Sequence, residues 1–132
     1  MEPRGIRNCN PGNIRITKDQ WEGLREVQTD KEFFQFVSMP WGYRALIRCL
    51  QNYRKRHDCW TIGDFIRRWA PENENNTTAY IKTVCEKMGV PPAYVPNVDD
   101  KLTMCMMAAG ISYVENGRLA EMEDVAEGWD LL

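Results

Sequence analysis

The segment at positions 4–15, RGIRNCNPGNIR, constrains the fold of this chain more than any other stretch. It contains three Asn, two Gly and one Pro. Pro11 lacks a backbone N–H and Gly12 favours positive φ, so the segment cannot form the interior of a helix. We therefore predict an ordered loop that leads into a short strand.

The asparagines of this segment have two interpretations. Asn side chains often hydrogen-bond their own backbone in turns, in which case Asn8, Asn10 and Asn13 are structural. Alternatively, their amides, which both donate and accept hydrogen bonds, line a groove for a polyhydroxylated ligand such as a sugar polymer. Composition alone does not separate these two interpretations.

Length and composition indicate one globular domain, 1–132, with a single core. With 43% hydrophobic and 27% charged residues, the chain is neither disordered nor fibrous. The longest apolar run, residues 104–111, is too short to span a bilayer, so we expect no membrane partner. The N-terminal sequence MEPRGIRN lacks the apolar region of a secretory signal. We therefore expect synthesis in the cytoplasm and, for a role at the cell wall, a separate means of delivery.

The five cysteines indicate neither a zinc site nor a complete disulfide framework, because they are odd in number and lack CxxC spacing. No other cluster has metal-ligand spacing, so we expect no metal and no cofactor. His57 is the only histidine, and no Ser/His/Asp or Cys/His spacing supports a nucleophilic triad.

Charge is unevenly distributed along the chain, although the net value is −2. Residues 44–68 carry seven Lys or Arg and two acids, whereas residues 115–130 carry six acids and one Arg. These are either solvated helix faces or, for the basic segment, a face toward an anionic polymer. The acidic balance and the lack of a recognition-helix motif argue against nucleic acid as the partner.

Hydrophobic periodicity predicts a mostly helical body with a small β lobe at its N-terminus. Residues 13–16 and 31–37 read as short strands, and we predict a β-hairpin with turns near Lys18 and Gly23. Capping signals indicate where the following helices begin. The predicted starts are Pro40, Thr61 with Asp64, Asn76 or Thr77, and Asp99 or Asp100. In the last of these helices, the predicted core stripe is Leu102, Cys105, Met106 and Ala109.

Five separated motifs resemble those of one known family. In chain order they are RGIRNxNPGNIR at 4–15, WEGL at 21–24, WGYRAL at 41–46, WAPENENNTTAYI at 69–81 and VENG at 114–117. Together they resemble the phage structural protein P5-like family, which is grouped with lysozyme-like, peptidoglycan-active virion and prophage proteins. The resemblance implies a mostly α (α+β), lysozyme-like domain that acts on the glycan strands of peptidoglycan.

Glu115 is the first candidate for the acid that glycosidic cleavage needs. It follows an apolar, methionine-rich segment and precedes Asn116-Gly117, where the chain must turn, so it should lie at the rim of the body. Lysozyme-like folds commonly place their acid at the C-terminal end of a core helix, and VENG resembles that element. In related glucosaminidases this helix precedes the Asn-rich segment, so the resemblance implies a circular permutation. The alternative is a solvent-exposed Glu near a helix end.

Two further residues join the candidate catalytic set. Glu74 is either the acid, the second carboxylate, or only a complement to the dipole of the next helix. Tyr80 either orients substrate, as its counterpart in similar glucosaminidase-type folds lies in the groove, or is a core residue with a satisfied hydroxyl. Many family members carry a histidine before ENG, where this chain has Val114, so a mechanism that uses histidine is not indicated.

The sequence therefore predicts peptidoglycan cleavage of the lysozyme, lytic transglycosylase or glucosaminidase type by a monomer. The predicted substrate-binding residues are Asn8, Asn10, Asn13, Arg15, Trp21 and Thr77. For Thr77 the alternative is a helix cap. The alternative function is a non-catalytic phage virion, tail or cell-wall-binding protein with the same fold.

Overall fold

The computed structural model describes all 132 residues and contains six helices. They are α1 (Arg4–Arg7), α2 (Met39–Arg56), α3 (Ile62–Trp69), α4 (Thr77–Met88), α5 (Lys101–Asn116) and α6 (Met122–Asp130). The mostly helical character predicted from the sequence is therefore confirmed. None of the six has both the length and the apolar character that crossing a bilayer requires.

Local capping signals set the helix starts where the sequence predicts them. Pro40 lies in the first turn of α2, where its missing N–H costs nothing. Thr61 and Asp64 form a reciprocal capping box at α3, with both hydrogen bonds at 3.0 Å. The side chains of Asn76 and Asp100 cap α4 and α5.

The helical body is built around α2, which packs against α5 and α6, while α4 packs between α3 and α5. In α5 the predicted core stripe is partly wrong: Leu102 is 69% exposed, and Met104, Met107 and Ile111 are fully buried instead. The reason is that α5 is apolar on most of its faces, so the spacing of its hydrophobic residues does not fix which face turns inward.

The N-terminal lobe, residues 1–38, lacks regular strands, and the predicted β-hairpin is not confirmed. It contains two isolated antiparallel bridges, which pair Arg15 with Phe33 and Leu24 with Phe36. Side-chain amides replace a continuous ladder: the backbone N–H of Gln35 donates to the Gln28 side chain at 2.8 Å, and the Gln28 amide donates to the Gln35 carbonyl at 2.8 Å. Because side chains satisfy these backbone groups, the lobe needs no sheet.

The segment 4–15 begins with the single helical turn α1, so the prediction of a loop throughout is wrong for its first four residues. No helix-breaking proline lies within that turn. Beyond it the chain leaves the helix, and Cys9 and Asn13 adopt left-handed conformations with φ near 50°. Pro11 and Gly12 lie between them in the loop, but the positive φ expected at Gly12 is not found there.

Candidate active site

Asn8 and Asn10 hold the N-terminal loop together from inside. Asn10 is fully buried; its amide donates to the carbonyls of Ile14 and Phe34 and accepts from the Ile14 N–H, all within 3.0 Å. Asn8 is 1% exposed and lies between Asp30 and Gln35. Neither amide reaches the surface, so the structural interpretation holds for these two asparagines and neither is placed to touch a substrate.

Asp30 is the charged centre of the lobe. Its carboxylate accepts two hydrogen bonds from the Arg4 guanidinium, both at 2.7 Å, and one from Asn8 at 2.9 Å. It also accepts from the backbone N–H groups of Glu32 and Phe33. The Arg4 side chain is the main reason that the pKa of Asp30 lies far below its ordinary value.

The loop docks on the helical body through close contacts that depend on glycine. A Cβ on Gly42 of α2 would collide with the Cys9 carbonyl oxygen and would lie 2.6 Å from the Pro11 ring. At the end of α5, the Asn116 amide donates to the Pro11 carbonyl at 2.9 Å and to the Ser112 carbonyl at 3.0 Å. These contacts fix the loop beside the C-terminus of α5, where Gly117 turns the chain with φ of 68°.

Docking places Asn13 directly against Glu115. The Asn13 amide donates to Glu115 Oε1 at 2.9 Å, and the Tyr80 hydroxyl of α4 donates to Glu115 Oε2 at 2.8 Å. Tyr80 itself is 5% exposed, whereas Glu115 is only partly buried. Three predicted site residues from three parts of the chain therefore meet at one carboxyl group.

Glu115 lies between two cavities that together form a groove. The first, of about 440 Å³, is here named the Trp21 arm because Trp21 lies in its wall. The second, of about 330 Å³, is named the Asn76 arm after the residue that also caps α4. Glu115 and Asn75 line both arms. An elongated ligand can thus pass over Glu115 with one part on each side.

The Trp21 arm continues into a third cavity of about 390 Å³, which ends at Asn52 and His57. Asp19, Trp21, Cys49 and Tyr53 line both cavities. The Glu115 carboxyl does not line this distal cavity, so His57 is remote from it. The cavities on the Trp21 side are therefore larger in total than the one on the Asn76 side.

The structure brings some of the other predicted residues to the groove. Arg15 lines the Trp21 arm with 64% of its side chain exposed, and Trp21 lines the same arm. Glu74 also lines it, from the exposed loop between α3 and α4. Thr77 does not: it is 2% exposed and its hydroxyl donates to the Ala70 carbonyl, so it anchors the start of α4.

The ionisation of neighbouring groups determines which chemistry the groove supports. Burial and the adjacent Glu115 carboxyl raise the pKa of Tyr80, so its hydroxyl stays protonated and remains a donor. Burial raises the pKa of the Cys49 thiol to about 12, so this groove cysteine is not an activated nucleophile. No group of three or more His, Cys, Asp or Glu side chains is placed to hold a metal ion.

Sequence reasoning missed several residues that build the site. Asn116 was treated only as a chain turn, yet its amide anchors the loop that carries Asn13. Arg68 and Asn75 line the Trp21 arm and were not singled out. A signal for Asn116 existed in its position next to Glu115, but its partner Pro11 is 105 residues away and cannot be inferred from spacing.

Comparison with known proteins gives one informative similarity. No family model matches the chain. The chain is similar to Protein P5 of Pseudoalteromonas phage PM2, with 43% identity over 91 residues. Those residues are 67% of this chain and 57% of the phage protein, so the chain spans little more than half the length of the curated relative it matches. The similarity supports the resemblance to P5-like phage proteins, whereas membership of a lysozyme-like family stays a prediction.

Proposed function

We propose that this protein cleaves the glycan strands of peptidoglycan, with Glu115 as the general acid. The observation that carries the proposal is the position of the Glu115 carboxyl, which is held by Asn13 and Tyr80 at the junction of the two groove arms. A polymer bound along the groove would present one of its glycosidic bonds at this junction. An oriented acid at that point is the group that such a cleavage needs.

In this mechanism Asn13 and Tyr80 position the acid. Each donates one hydrogen bond to a different oxygen of Glu115, which leaves a further lone pair on each oxygen to carry the transferable proton. Glu115 protonates the leaving oxygen as the glycosidic bond breaks. A lytic transglycosylase would then use a hydroxyl of the sugar as nucleophile, and a hydrolase would use water.

Glu74 is the second carboxylate in the proposal. It lies on the exposed loop between α3 and α4 and lines the same arm as Glu115. An exposed, polar setting suits a general base or a negative charge that stabilises the oxocarbenium-like transition state. Arg15 and Trp21 would contact the bound strand in the same arm. The protein would act at the cell wall after delivery by a virion, a lysis system or a secretion system.

One observation favours the second candidate, a non-catalytic virion or wall-binding protein. The two hydrogen bonds to Glu115 also join the N-terminal loop, α4 and α5, which is what a structural cross-link does. The similarity to a protein of a phage is compatible with such a component. The two candidates predict different results for a substitution of Glu115. If Glu115 is the acid, the substitution abolishes a reaction, and if it is a structural cross-link, the substitution only destabilises the fold.

The test is mass spectrometry of the muropeptides released from purified sacculi by wild type, Glu115→Gln and Glu74→Gln. Glu127→Gln is the matched control, because Glu127 also lies near the C-terminal end of a helix, is exposed and forms no side-chain hydrogen bond or ion pair. Loss of products with Glu115→Gln and not with Glu127→Gln supports the proposal. Product masses separate anhydro ends from reducing ends.

Other outcomes reassign the site or the function. Loss of products with Glu74→Gln while Glu115→Gln stays active would place the acid in the loop between α3 and α4. A wild type that releases nothing and still sediments with sacculi would replace the enzyme by a binding or structural protein. Circular dichroism of each variant separates loss of chemistry from loss of folding.

A further inference from the structure

The two arms of the groove differ in the number of charged side chains that line them and in volume. The Trp21 arm is lined by two arginines, Arg15 and Arg68, and by the carboxylates of Asp19 and Glu74. The Asn76 arm carries no charged group other than Glu115 itself. A ligand that fits both arms must therefore be chemically different at its two ends.

The arginines of the Trp21 arm are available for a ligand. Arg68 is exposed, forms no ion pair, and lies over the Tyr53 ring at 5.2 Å. Arg15 has its guanidinium over the Phe33 ring at 5.3 Å, and its ion pair with the exposed Glu32 is long, at 3.7 Å. Ring contacts hold each guanidinium in place while its N–H donors remain free, which suits recognition of a carboxylate.

The Asn76 arm is smaller, and Glu115 is its only charged group. Beside Glu115 and Tyr80, its polar groups are the amides of Asn75 and Asn76 and the hydroxyl of Thr83, and Ala79 and Val114 also line it. The Asn76 side-chain oxygen caps Ala79, so its NH₂ group is the part left for a ligand. Such a surface suits hydroxyl and acetamido groups of an uncharged sugar.

Peptidoglycan strands contain the same asymmetry, because an unsubstituted amino sugar alternates with one that carries a peptide with free carboxylates. We propose that the Trp21 arm binds the peptide-bearing sugar, with Arg15 and Arg68 pairing with peptide carboxylates, and that the Asn76 arm binds the unsubstituted sugar. The inference rests on the proposed function and goes further, since it makes the stem peptide part of the recognised substrate. The distal cavity of about 390 Å³ provides room for part of that peptide.

The test compares cleavage of three substrates: intact sacculi, the same glycan strands stripped of peptide by an amidase, and chitin oligosaccharides. Wild type should cleave stripped strands about tenfold more slowly than intact ones and chitin oligosaccharides more slowly still, because charge-assisted contacts to carboxylates are lost. Arg68→Gln should raise KM on intact sacculi by about tenfold and raise KM on stripped strands much less. Arg118→Gln is the control, because Arg118 is exposed, unpaired and outside the groove.

The outcomes separate this inference from the function beneath it. Equal cleavage of intact and stripped strands by wild type overturns the peptide-recognition inference and leaves glycan cleavage standing. An Arg68→Gln variant that slows both substrates equally also overturns it, because a structural role moves both rates together. Failure of wild type to cleave any of the three substrates overturns the proposed function itself.

Discussion

Replacing Asp30 by Asn tests whether one carboxylate holds the N-terminal lobe in the conformation that presents Asn13. In the native protein the Asp30 side chain is only 7% exposed. One oxygen accepts from Arg4 Nη2, Glu32 N and Phe33 N, and the other accepts from Arg4 Nε and Asn8 Nδ2. An Asn side chain can keep the first set and replaces the second oxygen by a donor, so two hydrogen bonds to a charged acceptor are lost.

The expected loss follows from those two hydrogen bonds. Each is worth about 1.5 kcal/mol when the acceptor is charged, so Asp30→Asn should lower the free energy of unfolding at pH 7 by about 3 kcal/mol. Urea unfolding followed by tryptophan fluorescence measures this directly. The matched control is Asp99→Asn, since Asp99 is exposed and its carboxylate makes no hydrogen bond.

The pH dependence gives a second readout of the same interaction. The pKa of Asp30 is lowered in the folded state, chiefly by Arg4, so its contribution is fully present above the unfolded pKa of about 4 and is lost as pH falls below it. The difference between wild type and Asp30→Asn should therefore shrink by about 1.4 kcal/mol for each pH unit below about 4. Surface substitutions usually change the free energy of unfolding by no more than about 0.5 kcal/mol. If Asp30→Asn stays within that range of wild type at pH 7, or if the difference in unfolding free energy does not change with pH, the reasoning is refuted.

Three further predictions concern the groove and the docking of the loop. Tyr80→Phe removes one donor to Glu115 and should lower the rate of glycan cleavage about tenfold or more, while urea unfolding shows a loss of only about 1 kcal/mol; an unchanged rate would contradict a positioning role. Gly42→Ala places a Cβ against the Cys9 carbonyl and should lower the free energy of unfolding, measured by thermal unfolding, by about 3 kcal/mol. Gly89→Ala is the control, because no atom lies within 4 Å of its Cβ position and only its positive φ is strained. Asn116→Ala removes the hydrogen bond to the Pro11 carbonyl, so it should lower the free energy of unfolding by about 2 kcal/mol and speed amide hydrogen exchange in the loop. Unchanged exchange in the loop would argue against an anchoring role for Asn116.

The helical body could be predicted because its signals are local. Three helix starts are indicated by a capping residue within the first four positions, and the structure confirms these caps at Thr61 with Asp64, at Asn76 and at Asp100. The hairpin is not confirmed, because its segments pair only at two isolated bridges. The Gln28 side chain bonds the backbone N–H and carbonyl of Gln35, where strand pairing would have continued.

The site was predictable only in part, because its contacts are long-range. The motifs of a family nominate Asn13, Tyr80 and Glu115 separately as site residues, but no local rule predicts that residues so far apart contact one another. The same motifs also nominated Asn8, Asn10 and Thr77, which the structure buries among internal partners. Motif content identifies a region, and packing decides which of its polar side chains face outward. The circular permutation stays a prediction.

The hydrogen bond between Asn13 and Glu115 spans 102 positions of the chain, and this has a consequence for biosynthesis. Asn13 leaves the ribosome 102 residues before Glu115, so one wall of the groove is synthesised well before the residue that it holds. The loop-closure free energy grows only slowly with loop length, but a contact between residues so far apart forms late in folding. Nascent chains, and chains that end before Glu115, therefore lack the assembled groove.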